Sequence, residues 1–123
     1  MAIHQSGEDY LETVLTLQQR NGQVRSVDVA AELGYSKPSV SIAMKKLREQ
    51  GYVLMDESGL LSLTQAGKEV ALGVYERHKT LKKALMMLGV DEEAAAEEAC
   101  KLEHAISDST LEKIKAYLKK IED

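Results

Sequence analysis

Residues 26–51 read SVDVAAELGYSKPSVSIAMKKLREQG, and this stretch decides the fold. Ser26 stands as an N-cap and Gly34 as a stop, with Val27, Val29, Ala30 and Leu33 between them at the spacing of a short helix. The break is Gly34-Tyr35-Ser36. Pro38 then falls in the first turn of a second helix, where a missing N–H is tolerated, and Gly51 closes that helix. Val40, Met44 and Leu47 form its inward stripe, so Lys37, Ser39, Ser41, Ile42, Lys45 and Lys46 are left to face outward.

The flanks extend the pattern. Upstream, residues 8–20 place Tyr10, Leu11, Val14, Leu15 and Leu17 on one side at helical spacing. Downstream, YVLMDESGLLSLT at 52–64 is two short apolar runs around Asp56-Glu57-Ser58-Gly59, the pattern of a β-hairpin. Helix, short helix, tight turn, helix and hairpin is the order of a winged helix-turn-helix. The expected fold class is therefore mainly α, with a winged helix-turn-helix over residues 1–63 and a helical module over 64–123. In that module, Ala71, Val74, His78, Leu81, Leu85 and Leu88 alternate by three and four along one long helix over 65–88, stopped by Gly89. A second helix is expected from about Asp91 to Ile106, with Ala95, Ala99, Leu102 and Ile106 as its ridge, and a third from about Ser109 to Ile121. So small a module with apolar seams is expected to pair as a symmetric homodimer.

Composition bounds what the chain can do. Its 123 residues are 44% hydrophobic and 29% charged, and no apolar run approaches the ~18 residues of a membrane span. The start, MAIHQSGEDY, lacks the basic and apolar segments of a secretion signal, and one cysteine makes no internal disulfide, so a cytoplasmic protein away from membranes is expected. His4 stands in this N-terminal tail and is given no role. With five Tyr, no Trp and no Phe, stacking platforms for single strands are not expected. The net charge of -4 argues against a non-specific nucleic-acid coat. Locally the balance reverses: from residue 20 to 48, Arg20, Arg25, Lys37, Lys45, Lys46 and Arg48 stand against only Asp28 and Glu32. Small polar residues at the start of an outward-facing helix can reach base edges, and lysines can neutralise phosphates of double-stranded DNA.

A second cluster lies at 97–108, EEACKLEHAISD. On a helix, Cys100, Glu103 and His104 are steps of three and four, about 5–6 Å apart, so all three can point at a common ion. Three ligands are few for a closed site. Other candidates are weaker when taken singly: His78 in its seam position reads more readily as a core histidine, and Asp9 and Glu12 far more readily as an ordinary solvated pair on the first helix.

The stretches EDYLE (8–12), SKPSVSIAMKKL (36–47), LTQAG (63–67), RH (77–78) and EEACKLEHAISD (97–108) together resemble the DtxR/MntR family of metal-dependent transcriptional repressors. The resemblance covers nearly the whole chain, and 97–108 is its most specific part. It implies that Asp9, with Glu12 one turn on, His78, Cys100, Glu103 and His104 hold a divalent metal, Fe(II) or Mn(II). Zn(II), Co(II) or Ni(II) are expected to bind in vitro. It further implies a dimer built from the helices after the hairpin and a palindromic operator read by the 37–50 helix, with Ser36, Pro38, Ser39 and Ser41 near the bases. Lys82 departs from relatives that carry a glutamate four residues beyond the histidine. Cys100 matches iron-type members and Asp9 manganese-type ones, and a thiolate with a carboxylate leaves the metal open. The C-terminal SH3-like domain of longer relatives is not expected here.

The expected function is a metal-activated regulator of metal-uptake genes, binding operator DNA as a dimer. The alternative is a metal-independent winged-helix regulator of the MarR kind, which leaves the ligand set as coincidence. An enzyme is not expected: paired Glu-x-x-His motifs are absent, no Gly-rich phosphate loop occurs, and a small organic substrate has little room.

Overall fold

A computed structural model describes residues 5–122; His4 lies outside the described residues. In chain order the elements are α1 (Gln5–Asn21), α2 (Ser26–Leu33), α3 (Lys37–Glu49), β1 (Val53–Met55), β2 (Leu61–Leu63), α4 (Gln65–Met87), α5 (Glu92–Leu102) and α6 (Asp108–Glu122). The chain divides into two units, Met1–Gly73 and Val74–Asp123, with the division inside α4. No helix among the described residues is long and apolar enough to cross a membrane.

The first unit is a winged helix-turn-helix. Leu11 and Val14 of α1, Val24, Val29 of α2, Val40 and Met44 of α3 and Val53 of β1 are fully buried in one core. The α2–α3 turn depends on Gly34, whose φ of 72° is the left-handed conformation that a Cβ disfavours; its N–H closes α2 on Ala30 O at 2.9 Å. Ser36 then caps α3, its Oγ accepting from Ser39 N–H at 3.3 Å. Tyr35, between them, meets Tyr10 of α1 edge-on at 6.0 Å. Burial, and then Tyr35, push the Tyr10 hydroxyl above its ordinary pKa.

The hairpin pairs Val53 with Leu63 and Met55 with Leu61. Asp56 builds its turn, one carboxylate oxygen accepting from both Ser58 N–H and Leu60 N–H at 2.9 Å. Two local expectations are corrected. Arg25, not Ser26, caps α2: it is extended, bridges to Leu60, and its N–H donates to Asp28 Oδ2 at 2.9 Å. Val27 lies outside the core at 45% exposed.

The second unit has a small core of Leu81, Ala99 and Leu111, ringed by Leu85, Ile106 and Ile114. Asp91 caps α5 by accepting from Ala94 N–H at 2.8 Å, and Ser107 precedes α6, accepting from Thr110 N–H at 3.1 Å. Here too the sequence reading needs correction. The long helix ends at Met87 and leaves Leu88 81% exposed, so the seam stops at Leu85. The α5 helix ends at Leu102 rather than Ile106, because Glu103–Ile106 turn towards α6.

Gly67 fixes how α4 starts. Thr64 Oγ1 donates to Gly51 O at 2.6 Å and accepts from Gly67 N–H at 3.1 Å, drawing the helix start against Tyr52. A Cβ at Gly67 would stand 2.1 Å from Tyr52 O, whereas one at Gly73 would meet nothing within 4 Å. In an open helix Gly→Ala stabilises by ~1 kcal/mol, while forced overpacking costs ~1–3 kcal/mol. Gly73→Ala is therefore expected to raise Tm and Gly67→Ala to lower it, measured by thermal denaturation. Equal shifts of the same sign would show that α4 does not start this close to Tyr52.

Candidate metal centre and nucleic-acid face

The C-terminal end of α5 gathers His78, Glu103 and His104 of the second unit. Glu103 still closes the helical ladder, its N–H donating to Ala99 O at 2.9 Å. Its backbone is still helical, so it continues the buried Ala95, Ala99 stripe at a spacing of four and its side chain points inward, where it is 0% exposed. His78 Nδ1 lies 3.0 Å from Glu103 Oε2. His104 Nε2 lies 3.3 Å from Glu103 Oε1, close enough for attraction yet off the hydrogen-bonding direction, so Oε1 has no hydrogen-bond partner among the described residues. The His104 side chain is only 5% exposed and that of His78 25%.

An anionic oxygen sealed from water without a donor is costly, and a cation beside it removes the cost. In the neutral tautomer that donates Nδ1–H to Glu103, His78 carries its lone pair on Nε2, the arrangement by which carboxylates prepare histidines to bind metal. One carboxylate oxygen and two imidazoles are a donor set suited to divalent transition ions. The residues present thus fit a metal.

The other sequence candidates are placed as follows. Asp9 and Glu12 are half-buried on α1 of the first unit, and Thr13 Oγ1 donates to Asp9 O at 2.7 Å. Cys100 is on α5, one turn before Glu103, and exposed. In the second unit the structure brings together His78, Glu103 and His104.

Sequence reasoning missed Arg77. Its Nε donates to Glu103 O and its Nη1 to Asp108 Oδ1, both at 2.7 Å, and Nη2 donates to Ile106 O. Its partners lie at sequence separations of 26 to 31, so no helical spacing could have revealed them. Only its position beside His78 hinted at it.

On the first unit, α3 buries Val40, Met44 and Leu47. Arg25, Ser36, Lys37, Pro38, Ser39, Ser41, Ile42, Lys45 and Lys46 are all exposed, with Ile42 at 67%. Ser36 Oγ also donates to Ser39 Oγ at 2.8 Å, so this pair shapes the helix start. The Arg25 guanidinium donates to Ser58 O in the hairpin turn, tying the wing to the start of α2. A basic, small-residue helix face beside a braced wing is suited to the major groove and flanking phosphates.

Comparison with known proteins agrees with both regions. The family model for the iron dependent repressor N-terminal DNA binding domain matches residues 3–59, and that for the iron dependent repressor metal binding and dimerisation domain matches 64–123. An uncharacterised HTH-type transcriptional regulator of Methanocaldococcus jannaschii is 40% identical over 123 residues, covering 98% of each chain. The transcriptional regulator MntR of Salmonella typhimurium is 36% identical over 110 residues, 89% of this chain and 70% of that one. Among solved structures, a manganese-dependent transcriptional repressor in complex with manganese superposes with a TM-score of 0.85 at 34% identity, covering 92% of this chain and 52% of that one. The manganese regulator SloR superposes with a TM-score of 0.81 at 31% identity, covering 97% of this chain and 55% of its own. This chain thus spans about half the length of those solved chains. With both family models matched in order and relatives of this identity along nearly its full length, the chain belongs to the iron-dependent repressor family, the DtxR/MntR group of transcriptional regulators.

Proposed function

We propose that this protein is a metal-responsive transcriptional repressor that binds palindromic operator DNA as a homodimer once Mn(II) or Fe(II) is bound, acting on metal-uptake genes in the cytoplasm. The observation that carries the reading is the buried Glu103 carboxylate between His78 and His104, in the segment matched to a metal binding and dimerisation domain. Cys100 on α5 and the α1 acids Asp9 and Glu12, taken from the sequence resemblance, complete the proposed ligand set. When bound, the ion supplies positive charge that organises these ligands. Glu103, through the oxygen that no donor among the described residues satisfies, and His104 would hold the ion, while Glu103 Oε2 orients His78. Family membership does not favour the metal-independent winged-helix alternative.

The proposed dimer rests on the second unit's apolar groove of about 540 Å³, lined by Leu81, Leu85, Leu88, Tyr117 and Ile121 among others. Leu88 and Tyr117 are 81% and 64% exposed, a surface that invites cover by a second copy. A two-fold dimer presents two α3 helices, which suits half-sites about 34 Å apart or a multiple of that spacing. Ile42 offers an apolar contact for a thymine methyl, and Lys45 and Lys46 offer charge to phosphates.

Metal and DNA binding are expected to be coupled by about 5- to 150-fold. Anaerobic addition of Mn(II) or Fe(II) should strengthen operator binding by that factor in a fluorescence anisotropy titration, and EDTA should reverse it. Affinity that is the same with ion and with chelator would refute the reading. Glu103→Gln, which keeps the size and removes the charge, should abolish the metal response while leaving low-salt DNA binding in place. Lys45→Ala should weaken all DNA sequences alike and lower the salt dependence by about one unit of slope; an unchanged slope would remove Lys45 from the phosphate contacts.

A further inference from the structure

Glu103 is held at two points by consecutive residues of one helix. His78 takes its carboxylate, and Arg77 takes its backbone carbonyl through Nε at 2.7 Å. The same guanidinium reaches Ile106 O through Nη2 and Asp108 Oδ1 through Nη1. It therefore spans the whole turn from the end of α5 to the start of α6. Adjacent helical residues point about 100° apart, so the two side chains approach Glu103 from different directions and cannot substitute for each other.

The acceptors explain why this position holds arginine. Carbonyls at a helix end have no intrahelical partner, and Glu103 O and Ile106 O belong to the segment that leaves α5. A positive group there satisfies them and opposes the negative end of the helix dipole. Three acceptors spread over a turn need a rigid, planar donor, and guanidinium supplies five N–H groups in a fixed fork. The ammonium of lysine is a point charge on a flexible stem and reaches such a set only in part.

We infer that Arg77 is a positioning residue for the metal centre: by clasping the Glu103–Asp108 turn onto α4 it fixes Glu103 and His104 in register with His78. The inference rests on the reading of those three residues as metal ligands. Arg77 touches no ion itself; it determines whether the ligands are assembled before the ion arrives. Its pairing with Asp108 is the least important arm, because the Asp108 side chain is 97% exposed and screened by water.

The test is direct metal titration of the full chain, with Co(II) as a visible probe of coordination alongside Mn(II) affinity by calorimetry. Arg77→Lys keeps the charge and loses the fork; it is expected to weaken Mn(II) binding about 10- to 100-fold and to alter the Co(II) d–d bands. Asp108→Asn keeps both carbonyl contacts and should change affinity less than about twofold. Arg77→Lys that binds Mn(II) as wild type does, with an unaltered Co(II) spectrum, overturns the inference, as does Asp108→Asn causing the same loss as Arg77→Lys. A purely stabilising role would lower the urea midpoint of Arg77→Lys without moving the spectrum, and that result also overturns it. Independently of any variant, the Arg77 Nε–H of the wild type should give a slowly exchanging NMR resonance; fast exchange with water overturns the clasp. Wild type that leaves Co(II) unbound would instead refute the metal-centre reading, an outcome distinct from all of these.

Discussion

Glu103 carries a carboxylate whose side chain is sealed from water, and the local structure of the second unit is arranged around that charge. Even after relaxation, desolvating an ion costs several kcal/mol, so the fold must bring compensating groups to it. It does so from both sides in sequence, with His78 from α4 and His104 from the next position along the turn. The compensation is incomplete in hydrogen-bonding terms, since Oε1 accepts from no group among the described residues. A purely structural carboxylate would gain by replacement with an apolar side chain of similar size. One kept buried, paired with imidazoles and short of a donor, has the properties expected of a ligand whose partner is a cation.

The first unit meets a different electrostatic problem. The chain is acidic, at a net charge of -4, yet the proposed partner is a polyanion. The fold concentrates positive charge on the outer face of α3, whose one carboxylate, Glu49, is its last residue; on the neighbouring α2, Glu32 pairs with Arg20 at 3.2 Å and Asp28 is occupied by the backbone of Arg25. Both acids are thus engaged within the protein. The cations of α3, by contrast, lie exposed off the Val40, Met44, Leu47 stripe. Long-range repulsion by the remaining acids is screened beyond about 8–10 Å at physiological salt, so a local basic face can act against the sign of the whole.

The helix-turn-helix was legible because each signal in it is local. Pro38, Gly34, Gly51 and the Val40, Met44, Leu47 stripe each act within a turn or two, and the helix, turn and hairpin formed as that chemistry dictates. Misreadings arose where a contact distant in sequence outweighed local propensity. Ser26 is a better cap than arginine by residue type, but pairing of Arg25 with Leu60 holds that residue extended and moves the cap back by one. The alanine- and glutamate-rich run of α5 favours helix through Ile106, yet Arg77 draws the carbonyls of Glu103 and Ile106 to α4 and the helix stops at Leu102. The candidate ligands could be named from their spacing and from resemblance, and Glu103 continues the buried Ala95, Ala99 stripe; its contacts with His78 and Arg77, 25 and 26 residues away, could not be read.

The size of the second unit connects stability with the proposed function. Its own core is Leu81, Ala99 and Leu111 with a few half-buried neighbours. So few buried side chains in a unit of roughly fifty residues hold little surplus over the entropy of ordering the chain. Stabilisation from outside that core then carries unusual weight. A ligand that binds only the ordered form adds RT ln(1 + [L]/Kd), about 2.7 kcal/mol at a hundredfold excess over Kd, which is comparable to burying one large apolar side chain. In a large rigid domain such a contribution would change little beyond occupancy. At the proposed centre it would fall on the turn that bears Glu103 and His104, beside the apolar groove of the second unit. Leu81 and Leu85 of α4 belong both to the core that packs Ile106 of that turn and to the groove lining, so the proposed centre would have a physical route by which occupancy of the ion is felt at the proposed dimer face.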